Sequence, residues 1–355
     1  TGSASGPLTV TVDQTRPTVT SISRASSAAA LTNTSPAFEV VFSESVSGVV
    51  AANFSASKGS GTTGTASIAV SGSGTTYTVT VSGLTGNYGT DTNATVGLTV
   101  VPGTTISDVA GNLLTSATVS GANESYNLDN TAPTYAITYS RTAPLKAGAV
   151  TLTVTANEAL SAAPTISINQ PGTTDISSAA TTGSGPYTYA YTVVAANAST
   201  YVDGSATVTV SGSDAAGNTG TTITSGGSFA IDTTAPTVAL TYSLDASTYN
   251  ASVARPVKSG DTVTIKATMT EAVALSAAPT ITLTATGGVT TATAASMTQV
   301  GSSLVYTYAY TVQASENGTV SASVSATDTA TNALTSTAAT AFIVDNTAPT
   351  VVLAY

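Results

Sequence analysis

The chain contains no cysteine, no histidine and no tryptophan. Without cysteine, neither a disulfide framework nor thiol chemistry is available. Without histidine, the usual general base and the commonest transition-metal ligand are both missing. The sequence also has no glycine-rich phosphate loop leading into a helix and no nucleophile with a plausible base. We therefore expect that the protein is not an enzyme.

Charged residues are scarce as well, at 7% of the 355 residues, and the formal net charge is −10. Nucleic acids and anionic membrane surfaces bind clusters of Lys and Arg, which this chain lacks, so we expect neither as a partner. No apolar run is long enough to cross a bilayer, so we expect no direct membrane insertion. The abundant Thr, Ser and Val favour β-strands.

One short phrase, Asp-x-Thr-x-Pro-Thr, recurs four times, beginning at Asp13, Asp129, Asp232 and Asp345. Each copy lies between two alternating apolar runs, and the copies are about 100 to 120 residues apart, which is the size of one domain. The phrase therefore indicates a joint between consecutive domains. The predicted divisions are 1–13 (last strand of a preceding repeat), 14–129, 130–232 and 233–345 (three domains), and 346–355 (first strand of a following repeat).

Short runs of alternating apolar and polar residues, separated by Gly, Ser, Asn and Pro, predict strands throughout the chain. No stretch shows a helical period. The pattern predicts an all-β fold of tandem immunoglobulin-like β-sandwich domains arranged end to end. The predicted strands are 19–22, 37–42, 66–70, 77–81, 96–101 and 125–128; 135–139, 150–156, 165–168, 187–194, 206–210 and 228–231; and 238–242, 263–267, 280–283, 304–312, 320–326 and 341–344.

Two acidic positions recur in each predicted domain besides the joint Asp. A Glu follows the second predicted strand, and an Asp begins a turn of the type Asp-x-Ala-x-Asn before the last strand. In an immunoglobulin-like sandwich these two loops and the entering linker meet at one pole, so the residues are expected to cluster. The predicted metal-ligand sets are Asp13, Glu44, Asp108 and Asn112; Asp129, Glu158, Asp214 and Asn218; and Asp232, Glu271, Asp328 and Asn332.

Three converging carboxylates without a nearby Lys or Arg repel one another, and a hard cation relieves that repulsion. Calcium accepts six to eight oxygen ligands, whereas magnesium requires a tighter octahedron and keeps its waters, so calcium is the predicted ion. An alternative stays open, in which Asp108, Asp214 and Asp328 only cap turns through their own backbone amides. A glycosidase-like pair of Glu158 and Asp214 is disfavoured, because a linker would fill the space for a substrate.

Two tyrosine ladders, at 187, 189 and 191 and at 306, 308 and 310, place three rings on one strand face. Such a face can stack against sugars, but in a chain this poor in other aromatic residues it is more typical of a core. An exposed tyrosine face would indicate a glycan-binding module, whereas a buried one would indicate a structural domain.

The Asp-x-Thr-Ala-Pro-Thr joints, the Phe42-Ser43-Glu44 strand end and the Asp-x-Ala-Gly-Asn turns together resemble bacterial Ig-like repeats of very large cell-surface and secreted adhesins. The resemblance implies that the domains form long stalks stiffened by calcium at the joints, with the joint Asp, the Glu and the turn Asp as ligands. The chain departs from the pattern at Arg16, where the other joints have Ala, and at Thr331, where the other turns have Gly.

These observations predict a non-enzymatic, extracellular structural array at a prokaryotic cell surface, serving as the stalk of an adhesin. Its partners would be the neighbouring repeats of the same chain. One alternative is a subunit of a surface layer, sheath or filament that packs laterally against other copies. The other is a glycan-binding adhesin module.

Overall fold

The computed structural model describes residues 9–25, 28–101, 105–172, 176–197, 200–286, 290–334 and 339–352. The described residues form 25 β-strands and a short 3-10 helix at Ala51–Asn53, with no α-helix among them. The prediction of an all-β fold is confirmed. No helix in this part of the chain is long and apolar enough to cross a membrane.

The strands group into three double-sheet units along the chain. In the first unit, one sheet has the order β1-β3-β5, with β7 beside β3, and the other has the order β2-β8-β6-β4. Its strands are β1 (Val19–Arg24), β2 (Leu31–Thr32), β3 (Ala37–Ser47), β4 (Phe54–Lys58), β5 (Thr63–Thr85), β6 (Thr95–Val100), β7 (Ser107–Asp108) and β8 (Ser125–Leu128).

The second unit has one sheet in the order β13-β10-β9-β16 and another in the order β12-β11-β14-β15, with β17 also beside β14. Its strands are β9 (Thr134–Tyr139), β10 (Gly148–Ala156), β11 (Thr165–Asn169), β12 (Ile176–Ala180), β13 (Tyr187–Val193), β14 (Gly204–Ser213), β15 (Thr219–Gly220), β16 (Thr222–Ser225) and β17 (Ser228–Ile231).

The third unit repeats this plan, with sheets in the orders β18-β19-β23-β22 and β21-β20-β24-β25. Its strands are β18 (Thr237–Ser243), β19 (Thr262–Thr270), β20 (Thr280–Ala285), β21 (Thr290–Ser296), β22 (Thr298–Gln299), β23 (Val305–Thr311), β24 (Gly318–Ser325) and β25 (Ala339–Val344).

Each unit has its own hydrophobic core, to which both of its sheets contribute. Strand alternation builds these cores: in β10, for example, Val150, Leu152 and Val154 are buried, because every second side chain points to the same face of a sheet. Every strand pairing among the described residues joins two strands of the same unit. The units are therefore sandwich-like and are packed separately.

The predicted runs 66–70 and 77–81 are the two arms of β5, which doubles back on itself. A Cβ on Gly64 would lie 2.4 Å from the Gly83 carbonyl oxygen, and the Ser82 hydroxyl donates to the Ser67 carbonyl. The sequence analysis did not predict β4, β12 and β21. Their Ser, Thr and Ala residues give little alternation between apolar and polar positions. These three strands lie at sheet edges, where few side chains are buried.

The predicted strands at the two ends of the chain are not observed in their described parts. Residues 9–18 and 345–352 are in no strand, because no other described strand pairs with them and a strand needs a partner for its backbone groups. Residues 1–8 and 353–355, which complete those predictions, lie outside the described residues.

The tyrosine ladders belong to the cores. Tyr187, Tyr191, Tyr306 and Tyr310 are at most 8% exposed, and the partly buried rings at positions 189 and 308 pack against the same cores. Four of the six ladder rings are therefore buried and cannot stack against sugars.

Candidate metal centres

The structure brings the nine predicted carboxylates together in three groups of three. In each group one carboxylate oxygen from every residue lies within 4.8 Å of the others. Each group combines a joint Asp, a Glu from the end of the second long strand and an Asp from the turn. The first centre is Asp13, Glu44 and Asp108; the second is Asp129, Glu158 and Asp214; the third is Asp232, Glu271 and Asp328.

The Glu is positioned by the residue before it, which is hydrogen-bonded to the start of the unit's first strand. In the second unit, the Asn157 amide donates to the Thr134 carbonyl (3.0 Å) and the Thr134 amide donates to the Asn157 side chain (2.6 Å). Ser43 makes the same two contacts with Thr18 in the first unit. The antiparallel pairing of the first two strands thus carries the Glu to the linker that bears the joint Asp.

The turn Asp is held by backbone amides, as the turn-capping alternative predicts. Oδ1 of Asp214 accepts hydrogen bonds from the amides of Ala216 (2.8 Å) and Asn218 (2.9 Å). The turn needs a positive φ at its fourth residue, and Gly217 supplies it at +92° at little steric cost. Thr331 occupies the same position in the third unit at +71°, which is strained for a β-branched residue.

The predicted Asn of each set ties the turn to the linker. The side-chain amide nitrogen of Asn218 donates to Oδ2 of Asp214 (2.8 Å) and to the backbone carbonyl of Asp129 (2.9 Å). Asn112 and Asn332 make the equivalent pairs of bonds. These contacts use the side-chain nitrogen of each Asn and position the joint Asp beside the turn Asp.

The second centre is enclosed. Asp129 and Asp214 are each 2% exposed and Glu158 is 8% exposed, and burial removes water that would stabilise their charges. Oδ1 of Asp129 and Oε2 of Glu158 are buried without any hydrogen-bond partner. Burial first, and then the neighbouring carboxylates, raise the pKa values of Asp129 and Glu158.

The third centre shares this character. Oδ2 of Asp232 and Oε2 of Glu271 are buried and unpartnered. Burial, together with the negative charges of Asp328, Glu271 and Asp203, raises the pKa of Asp232 to about 6. A hydrogen bond from the Thr234 backbone amide opposes this rise.

The first centre is more open. Asp13 is exposed and Glu44 is half-buried, while Asp108 is buried. Desolvation and the charges of Asp108 and Asp13 raise the pKa of Glu44. Desolvation also acts on Asp108, but hydrogen bonds from Asn112, Gly111 and Ala110 outweigh it and lower the pKa of Asp108.

Sequence reasoning missed residues that the preceding unit contributes. Gly89 and Asn87, in the loop after β5, contact Asp129 and Glu158 of the second centre. Asp203, before β14, accepts hydrogen bonds from Thr233 and Thr234 in the linker beside the third centre. The loop of Asn87 and Gly89 does not repeat in register between the units, so the repeats gave no signal for it. The Asp203 position does repeat, because Asp203-Gly204 recurs as Asn317-Gly318 and Asn317 accepts a hydrogen bond from the Asn346 amide in the same way.

The donor set fits a hard divalent cation. The buried unpartnered oxygens of the second and third centres are available to a cation, and no Lys or Arg of the described residues forms an ion pair with any of the nine carboxylates. Two charges about 5 Å apart at an effective dielectric of about 20 repel by roughly 3 kcal/mol. Carboxylate oxygens and water are the ligands that Ca²⁺ accepts, in a coordination shell more flexible than that of Mg²⁺.

No family model matches the chain, and no curated protein matches its sequence significantly.

Proposed function

We propose that the chain is a non-enzymatic structural array whose joints are stiffened by calcium. It consists of three immunoglobulin-like domains, residues 14–129, 130–232 and 233–345, arranged end to end as an extracellular stalk at a prokaryotic cell surface. The observation that carries the proposal is the recurrence of one carboxylate trio in all three units, with buried oxygens that lack any other partner.

The sheet topology supports the immunoglobulin-like part of the proposal. In the second unit the first, second and fifth strands, β9, β10 and β13, share one sheet, and β11, β14 and β17 share the other. An immunoglobulin sandwich divides its strands between two sheets in the same way. The third unit has the same arrangement in β18, β19 and β23 against β20, β24 and β25.

The position of each trio supports a role in stiffness. In the second centre Asp129 belongs to the linker, whereas Glu158 and Asp214 belong to two loops of the following unit. A cation held by all three ties the linker to that unit and removes bending freedom at the joint. Asn218 already holds the Asp129 carbonyl, so the joint Asp is positioned for binding before the ion arrives.

Calcium removal tests this proposal on the whole chain. At a free calcium concentration 100 times the dissociation constant, binding stabilises the folded state by about 2.7 kcal/mol. For a unit of about 100 residues, this corresponds to a melting temperature higher by roughly 10 °C or more. We expect excess chelator to lower the melting temperature by about this amount. It should also broaden the distribution of interatomic distances obtained from small-angle scattering.

The control variant is Glu44→Gln/Glu158→Gln/Glu271→Gln, which keeps the shape of each trio but removes one charge from it. Its melting temperature should respond little to calcium. Identical melting curves and scattering profiles of the natural chain in millimolar calcium and in chelator would refute the calcium proposal. Ordered assemblies at high protein concentration would favour the lattice alternative over a monomeric stalk.

A further inference from the structure

The second centre is covered by a loop of the preceding unit. In the loop that follows β5, the Gly89 amide donates to Oδ2 of Asp129 (3.1 Å). The Asn87 side-chain amide of the same loop donates to Oε1 of Glu158 (3.4 Å), which lies in the next unit. Residues 86–91, which we call the cap loop, therefore reach across the joint to both kinds of ligand.

The cap loop has a fixed shape of its own. Oδ1 of Asn87 accepts the Thr90 amide (3.0 Å), and the Asn87 carbonyl accepts the Asp91 amide (2.8 Å). The linker holds the loop from the other side: Oδ1 of Asn130 accepts the Gly86 amide (3.1 Å), and the Thr131 hydroxyl donates to the Gly86 carbonyl (3.1 Å). The loop is thus ordered independently of its contacts with Glu158.

A side chain at Gly89 would push the end of the Glu158 side chain aside. A Cβ at this position would lie 2.5 Å from Oε2 of Glu158 and 3.3 Å from Oδ2 of Asp129. Oε2 of Glu158 is one of the buried oxygens without a hydrogen-bond partner. The close approach of the Gly89 backbone therefore closes the centre on the side of the preceding unit.

The third centre has no equivalent cap among the described residues. There, Asp203 of the second unit accepts hydrogen bonds from linker threonines, and Lys146 donates to the Thr331 carbonyl (3.4 Å). No described hydrogen bond joins the second unit to Glu271. Instead, a cleft of about 660 Å³ lies between the units, lined by residues that include Asp203, Thr234 and Glu271.

We propose that the second centre is a composite site, in which Asn87 and Gly89 of the preceding unit act as positioning residues for the cation. The inference rests on the proposed calcium function and goes beyond it. Cation binding at the second centre locks the first and second units in one relative orientation.

The test uses the whole chain carrying Glu44→Gln and Glu271→Gln, so that the second centre alone retains its three carboxylates. Calorimetric titration with calcium measures its affinity in three further variants. Gly89→Ala should weaken calcium binding at least tenfold, and Asn87→Ala should weaken it severalfold. Gly97→Ala is the matched control, because its Cβ would meet only ordinary contacts at 3.7 Å and beyond.

A second measurement separates positioning from folding. Because the chain has no cysteine, a fluorophore pair on two introduced cysteines, one in each unit, reports the distance between the first and second units. Calcium should narrow the distance distribution in the parent and in Gly97→Ala but not in Gly89→Ala. The melting temperatures of these three proteins without calcium should be the same.

Unchanged affinity and unchanged narrowing in both Gly89→Ala and Asn87→Ala would overturn the composite site, even if Glu158→Gln abolishes binding. If Glu158→Gln also leaves calcium binding intact, the proposed function itself fails.

Discussion

The first and second centres use the same three kinds of residue in different surroundings. The second centre is buried on all sides, with two oxygens that lack any partner. At the first centre the joint residue Asp13 is exposed, and its Oδ1 accepts a hydrogen bond from the Thr15 amide (2.9 Å). The two centres therefore share the same set of candidate ligands. The free-energy cost of leaving these carboxylates without a cation differs between them.

The difference comes from what lies on the linker side of each trio. The cap loop covers Asp129 and Glu158. Within the described residues Asp13 is exposed and Glu44 is half-buried, so solvent screens the charges of the first trio more than those of the second. We therefore expect a trio that is buried by a neighbouring unit to depend more on a cation than an exposed one.

We expect the largest effect for Glu158→Gln, whose change in unfolding free energy should have opposite signs without and with calcium. Without calcium, the substitution removes a buried negative charge, and we expect the second unit to gain about 1 to 3 kcal/mol of unfolding free energy. With calcium, the loss of a ligand charge should make the same variant less stable than the natural chain. Urea unfolding followed by tyrosine fluorescence, with and without calcium, measures both.

Glu44→Gln is the matched variant in the open centre, and its effects should have the same signs but be smaller. Equal effects of the two substitutions would contradict the idea that burial sets the dependence on a cation.

A second expected effect concerns pH and the buried Asp232. Its pKa is raised to about 6 in the folded chain, so without calcium the folded state binds more protons than the unfolded state. Stability should therefore be highest below about pH 4 and fall as pH rises through 6. With calcium the dependence reverses, since the cation binds the ionised carboxylate.

Melting temperatures between pH 4 and pH 8 in calcium-free buffer check this expectation. The difference between the natural chain and Asp232→Asn isolates the contribution of this group from other carboxylates. A difference that does not change across this pH range would contradict it.

The smallest expected effect concerns the turn of the third unit. Thr331 has a φ of +71°, where the other two turns have Gly111 and Gly217 at +92°. Thr331→Gly should relieve left-handed strain of about 1 to 2 kcal/mol, partly offset by the flexibility of glycine in the unfolded chain. We expect a net gain of about 0.5 to 1 kcal/mol in denaturant unfolding.

Gly217→Thr is the reciprocal variant in the second unit and should be destabilising by a similar amount. Lys146 keeps its partner in Thr331→Gly, because it bonds to the backbone carbonyl at this position. A loss of stability in Thr331→Gly would show that the threonine side chain matters more than the strain.

Much of the fold could be predicted because strand alternation is a local property. The predicted runs at 150–156 and 263–267 lie within β10 and β19, where apolar residues alternate with threonine or lysine. The edge strands β12 and β21 could not be found in this way, since both of their faces carry small residues. The hairpin shape of β5 also required the folded structure, because its pairing depends on where the chain turns back.

The carboxylate trios could be predicted because the motifs repeat in register in a chain with few charges, and because one topology brings the loops to one pole. The sequence by itself determined the residue types of the three centres and their assignment to joints. Only the tertiary structure decided that Gly89 and Asn87 close the second centre, that the Asn amides hold the linker, and that the third joint borders a cleft. The reason is physical: ligand chemistry belongs to single residues, whereas enclosure depends on the close approach of loops from two units.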